Sequence, residues 1–89
     1  MDDFYVAAFK NNISAVTAIQ TARAENLPVA VMPTPRSLTA SCGLSLRFPA
    51  TNAEEVSTLL RQRLPTEMYH IYRAERLPDG HFSYAELSI

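Results

Sequence analysis

The 89-residue chain has one cysteine and two glycines, and the scarcity of thiols closes off two kinds of chemistry. A single cysteine cannot form an intramolecular disulfide, which fits a reducing compartment. Without a Cys-X-X-Cys pair there is no dithiol redox couple within one chain. Basic charge is not in excess either. Eight Lys and Arg stand against nine Asp and Glu, for a net charge of −1. No basic stripe is available to neutralise phosphates, which speaks against nucleic acid as a partner.

Long apolar runs are also missing: none approaches the roughly 18–20 residues that span a bilayer. The opening Met1-Asp2-Asp3-Phe4 is acidic, where the first region of a signal peptide is basic. The sequence therefore reads as cytoplasmic, with no membrane partner. It contains no internal repeat and no low-complexity stretch, and a single domain over residues 1–89 is expected. Hydrophobic residues make up 47% of the chain, which argues for a packed core rather than disorder. Only 19% are charged, so part of the surface must be apolar or lightly polar, and a homodimer is compatible with that.

The remaining pattern alternates strand and helix signals. Phe4 to Phe9 is a short aromatic and β-branched run, read as a strand. Lys10-Asn11-Asn12 ends it, and an Asn there can cap a helix. Ile13, Val16, Ile19 and Ala22 then fall on one face at helical spacing and are expected to be its buried side. Asn26 is a stop signal and Pro28 cannot continue the helix. Val29 to Met32 reads as a buried strand. Leu44, Leu46 and Phe48 share one face of a third strand, which Pro49 ends. Thr51 or Asn52, with Glu54 or Glu55, suggests a capping box for a second helix. Val56, Leu59, Leu60 and Leu64 form its apolar face, and Pro65 stops it. Met68 to Leu77 and Phe82 to Leu87 are the arms of a hairpin around Pro78-Asp79-Gly80.

The simplest packing is α+β: a ferredoxin-like β-α-β-β-α-β sandwich with an added C-terminal strand. Two helices cover one face of a mainly antiparallel sheet. The other face must be covered or polar, and it or the added edge strand is where two copies would meet.

Chemistry concentrates between Pro33 and Gly43. These eleven residues hold Cys42, one of the two glycines, and Pro33 and Pro35 of the six prolines. Proline fixes φ and glycine widens it, so this loop is shaped. As a bland residue, Cys42 is a small buried hydrophobe. Its position at the end of a loop and just before a strand favours a rim location instead. Gly43 allows close approach, and Ser41 and Arg36 can offer a hydrogen bond and a positive charge that favour thiolate. An ordinary thiol, with pKa near 8.5, is only a few per cent ionised at neutral pH, so such help decides whether it is a nucleophile.

Other candidates are weaker. Peptidase chemistry needs a base beside the thiol, and nothing in the sequence ties His70 or His81 to Cys42. Zinc held by Cys42, His70 and His81 would have three ligands without recognised spacing, where structural sites take four, and no metal is expected. His70 reads as a partly exposed or hydrogen-bonded strand residue. Tyr5, Tyr69, Tyr72 and Tyr84 are ordinary strand residues. Glu54 and Glu55 suit a helix start, and Arg61, Arg63, Arg73 and Arg76 a solvated surface.

Pro33-Thr34-Pro35-Arg36 followed by Ala40-Ser41-Cys42-Gly43-Leu44 resembles the signature of the selenium/sulfur (Se/S) carrier-like family of small single-cysteine domains. The resemblance runs over about residues 4–64, with a specific motif only at 33–44, and leaves the hairpin uncovered. It implies a carrier of sulfur or selenium with Cys42 as the carrying nucleophile and Arg36 as its motif partner. No cofactor is expected. The donor would be a sulfurtransferase or desulfurase-type protein, and an acceptor protein would receive the atom. Such carriage is stoichiometric rather than catalytic turnover. Relatives also place an acidic residue midway along the first helix, where this chain has Ile19 and Gln20. A second reading stands beside this one: a small non-enzymatic regulatory or interaction module in which Cys42 is structural.

Overall fold

The first strand, β1 (Phe4–Phe9), lies in the middle of the computed structural model, which describes residues 4–38 and 43–87. After it come α1 (Asn12–Ala24), β2 (Ala30–Pro33), β3 (Leu44–Pro49), α2 (Ala53–Arg63), β4 (Tyr69–Arg76) and β5 (Phe82–Glu86). Short 3₁₀ turns at Ala50–Asn52 and Thr66–Met68 lead into α2 and β4. The five strands form one sheet in the order β2-β3-β1-β4-β5, and every neighbouring pair is antiparallel. This is the ferredoxin-like α+β arrangement with a fifth strand added beside β4. Among the described residues, no helix is long and apolar enough to cross a membrane.

Local signals explain the boundaries of α1. Asn11 caps it, its Oδ1 accepting from the amide of Ser14 at 2.8 Å. At the other end Asn26 adopts φ 58°, the left-handed conformation that ends a helix. The amide of Leu27 reaches back to the carbonyl of Ala22 at 3.0 Å, and that of Asn26 to Arg23 at 3.0 Å. This bond pair is a Schellman motif, and it turns Leu27 onto the core.

The buried face of α1 departs from the periodicity. Ile13 and Val16 are 80% and 44% exposed, whereas Ser14, Ala15, Ala18 and Ala22 are buried. Only Ala22 and the partly buried Ile19 keep the expected side. The reason is spatial. Phe9, Leu46, Phe48 and Ile71 already supply bulk from the sheet, so the helix face that fits over them is the one of small side chains, and close packing outweighs the hydropathy of Ile13 and Val16.

Helix α2 packs as its sequence suggests, with Val56, Leu59 and Leu60 buried and Leu64 buried just beyond its last turn. Its start differs. Asn52 occupies the cap position but accepts no helix amide. It instead donates from Nδ2 to the Glu55 carboxylate at 2.8 Å, so the expected capping box is replaced by a side-chain pair. Strand β2 also differs: it is an edge strand with Ala30, Val31 and Pro33 exposed, not a buried one. A four-residue apolar run does not reveal whether the sheet continues beyond it.

The sheet face away from the helices carries a second apolar cluster. Phe4, Val6 and Ala74 are buried there, with Met32, Leu38, Phe82 and Tyr84 packed around them. Arginines cover part of this cluster. The guanidinium of Arg47 lies 3.9 Å from the ring centroid of Phe4, and that of Arg76 lies 5.4 Å from Phe82. Phe82 also meets Phe4 edge to face at 5.1 Å. Arg76 is thus a partner of an aromatic ring rather than only a solvated charge, and aromatics and cations, not a helix layer, cover part of the second face.

Candidate functional site

Pro33 pairs with Leu44 at the end of the β2–β3 ladder, so residues 34–43 are the loop joining these strands. The stem of this loop is closed twice. The amide of Thr34 donates to the carbonyl of Gly43 at 3.0 Å. The Oγ1 of Thr34 and the Oγ of Ser45 share a hydrogen bond of 2.7 Å. Ser45 is only 1% exposed, so this bond lies largely out of water, where an unmet hydroxyl would be costly.

The first half of the loop is anchored by its prolines and by Leu38. Pro33 is the last residue of β2, and Pro35 opens a turn whose carbonyl accepts from the amide of Leu38 at 3.0 Å. Leu38 packs against the Phe4, Val6 and Ala74 cluster, which fixes this half of the loop on the helix-free face. Arg36 sits in the turn with its side chain exposed. Gly43 is exposed as well, and among the described residues a Cβ placed on it would meet nothing within 4 Å. Cys42 and Ser41 lie outside the described residues.

The loop end of the sheet is also where β1 runs into α1 and where β4 begins. Ser45 pairs with Ala8, and Ala8 pairs with His70, so these three residues form one row across the helix-free face. Two strand spacings separate Ser45 from His70, about 10 Å. The Nδ1 of His70 lies 2.6 Å from the Oε2 of Glu86, and both side chains are about half exposed. His70 is thus the partly exposed, hydrogen-bonded strand residue that the sequence suggests, while its partner Glu86 was not identified there. Alternation could put His70 on a face, but only the register of β4 on β5 brings it to Glu86. His81 is elsewhere, at the hairpin turn, with its Nδ1 3.1 Å from the Oδ2 of Asp79. The two imidazoles therefore occupy opposite ends of the hairpin. Among the described residues, no three His, Cys, Asp or Glu side chains are grouped to hold a metal ion.

All four tyrosines lie in strands. Burial pushes the phenol of Tyr72 above its ordinary value, and the nearby Glu86 carboxylate adds to this. Burial does the same to Tyr69, partly opposed by Arg61. Midway along α1, Ile19 is partly buried on the core and Gln20 is exposed, so no carboxylate stands there.

No curated protein and no solved structure matches this chain. A family model does, over residues 4–73. The match extends past Pro65 into the first arm of the hairpin, ending at Arg73 within β4, and so covers more than the resemblance of residues 4–64 suggested. It takes in both helices, four of the five strands in whole or part, and the entire loop between β2 and β3. The chain belongs to the family described as "Putative Se/S carrier protein-like".

Proposed function

We propose that this protein carries sulfur or selenium on Cys42 as a persulfide-type adduct and passes it to another protein. The observation that carries this reading is membership of the carrier-like family across the whole cysteine-bearing loop. The pinned stem and the exposure of Gly43 support it, because a carrier thiol needs a fixed mount and access for two partners.

The chemistry is a pair of displacements. The Cys42 thiolate attacks the outer sulfur of a donor protein's persulfide. A new S–S bond forms at Cys42, the donor's S–S bond breaks, and the donor cysteine leaves as thiolate. An acceptor's nucleophile then takes the terminal sulfur, and Cys42 leaves as thiolate. No net redox change occurs in either step. Arg36 and Ser41 are the proposed supports of the thiolate, one by charge and one by a hydrogen bond. Pro33 and Pro35 shape the loop, and Gly43 keeps the approach clear. The donor is a sulfurtransferase or desulfurase-type protein.

The competing reading is a regulatory or interaction module in which the loop is structural. The packing of Leu38 on the second apolar cluster favours it, since a loop that helps close a core has a reason to exist without its thiol. Intact mass after incubation with a small-molecule persulfide separates the two. One added sulfur on the native chain, lost in Cys42→Ser, is expected for the carrier. A native chain that gains no sulfur while folded supports the module.

A further inference from the structure

The two ends of the sheet differ in charge. One end carries the loop between β2 and β3, the entry into α1, the last turn of α2 and the start of β4. Among the described residues, Lys10, Arg36, Arg61 and Arg63 lie there, all exposed, against the carboxylate of Glu67. Arg61 is close enough to Tyr69, the first residue of β4, to oppose the rise of its phenol. Glu86 lies one row further in, and His70 takes up its carboxylate. The opposite end holds Glu25, Glu54, Glu55, Glu75 and Asp79 with Arg23, Arg73 and Arg76. Charge that nearly cancels over the whole chain, at −1, is therefore separated along it.

The cations also differ in what they do. Those of Arg47 and Arg76 lie on the rings of Phe4 and Phe82, and Arg73 has a partner as well. Among the described residues, none of the four cations at the loop end is held in an ion pair. The same end carries Ile13, which at 80% is the most exposed large hydrophobic described. Val16 is 44% exposed and follows it by three residues, so the two share one face of the first turns of α1. Helix α2 packs beside α1 and runs the opposite way, which brings Arg61 and Arg63 to the end where Ile13 stands.

We propose that this end of the molecule docks a partner protein through an acidic surface with an apolar centre. Ile13 and Val16 fill the centre, and Lys10, Arg36, Arg61 and Arg63 meet carboxylates around the rim. The inference rests on the carrier reading, in that the partner is a protein that exchanges sulfur with the loop. An apolar centre within a charged rim is the anatomy of a protein interface. Complementary charge speeds encounter more than it tightens the complex, which suits a carrier that must dock and leave. RNA fits less well, because a phosphate backbone offers no apolar group to cover Ile13 and Val16.

The test titrates the full, isotope-labelled chain by NMR at low salt. The probe is a helical peptide with leucines on one face and glutamates flanking them. Amide shifts are expected at residues 10–16 and 61–63, with little change at the opposite end. A peptide with lysine for each glutamate, or serine for each leucine, should bind at least about tenfold more weakly. Lys10→Glu combined with Arg63→Glu should weaken the glutamate peptide about tenfold. Salt at about 1 M, where the screening length is about 3 Å, should do the same. Ile13→Gln should weaken it severalfold at either salt while the chain stays folded. Equal binding of the lysine peptide, shifts centred elsewhere, or no shifts at all overturn the surface. So does a short RNA oligonucleotide that binds these residues more tightly than the peptide. The peptide has no sulfur to give, so these outcomes are read separately from whether a small-molecule persulfide loads Cys42.

Discussion

The hydroxyls of Thr34 and Ser45, eleven residues apart in sequence, lie 2.7 Å from each other and tie together the two strands that bear the cysteine loop. With the backbone bond from Thr34 to Gly43, this makes the base of the loop part of the sheet rather than a hinge. A thiol that must be presented the same way to a donor and an acceptor gains from such a base, because a pre-ordered loop has less entropy to lose at each encounter.

Ser45→Ala therefore tests the stem. Loss of the hydrogen bond is expected to cost about 1 kcal/mol of stability, read from a denaturant midpoint. On the carrier reading, the pH midpoint of Cys42 alkylation should also move towards that of an ordinary thiol. A stem that does not matter to the thiol would leave that midpoint unmoved while stability fell.

The inverted burial of α1 gives a paired expectation. Ile13→Gln, at an 80% exposed position, should change stability by no more than about 0.5 kcal/mol. Ala18→Leu, at a position 1% exposed, should cost about 1–3 kcal/mol through overpacking. Thermal melts of the two variants decide it, and the opposite ranking would restore the face that periodicity favours.

Asn11→Ala removes the side-chain acceptor that caps α1. A loss of about 0.5–2 kcal/mol is expected, and Asn11→Asp or Asn11→Ser should recover most of it. If all three substitutions lower the melting temperature equally, the role of Asn11 is not capping.

The hairpin turn carries an acid-sensitive contact. The amide of His81 donates to Asp79 and, with the His81 side chain, holds its carboxyl below the ordinary value near 3.8. A depressed carboxyl stabilises the folded state above the unfolded pKa, and that contribution fades as pH falls through the folded value. The His81 amide resonance should therefore titrate below pH 4, and Asp79→Asn should abolish that titration. A midpoint at or above the ordinary carboxylate value would contradict the contact.

At the alkaline end the sign is reversed. Tyr69 and Tyr72 ionise above the ordinary phenol value of 10.0 because burial penalises the phenolate. Their contribution is intact below that value and is lost as pH rises through the folded one. Phenolate absorbance should rise late in the native chain, with stability falling above pH 10, and Tyr72→Phe should reduce both effects.

The order of elements was legible because its signals are local. Asn11, Asn26, Pro49, Pro65 and Gly80 each mark a boundary through backbone chemistry that a few neighbouring residues determine. Gly80, at φ 92°, closes the hairpin turn as its position after Pro78-Asp79 implies. What was not legible depends on partners distant in sequence. The alanine face of α1 is chosen by the bulk of Phe9 and Phe48 beneath it. The exposure of β2 follows from its place at the sheet edge. The His70–Glu86 pair needs the register of the hairpin. For the site, the shaped loop from Pro33 to Gly43 could be read from composition, whereas the bond of Thr34 to Ser45 and the packing of Leu38 on Phe4, Val6 and Ala74 could not.

The most direct test of the carrier reading is the pH dependence of Cys42 alkylation in the folded chain, followed by intact mass. Rapid labelling with a midpoint well below the usual thiol value near 8.5 is expected for an accessible thiolate poised to take a sulfur atom. Labelling that appears only when the chain unfolds would make Cys42 a packing residue and contradict the carrier function.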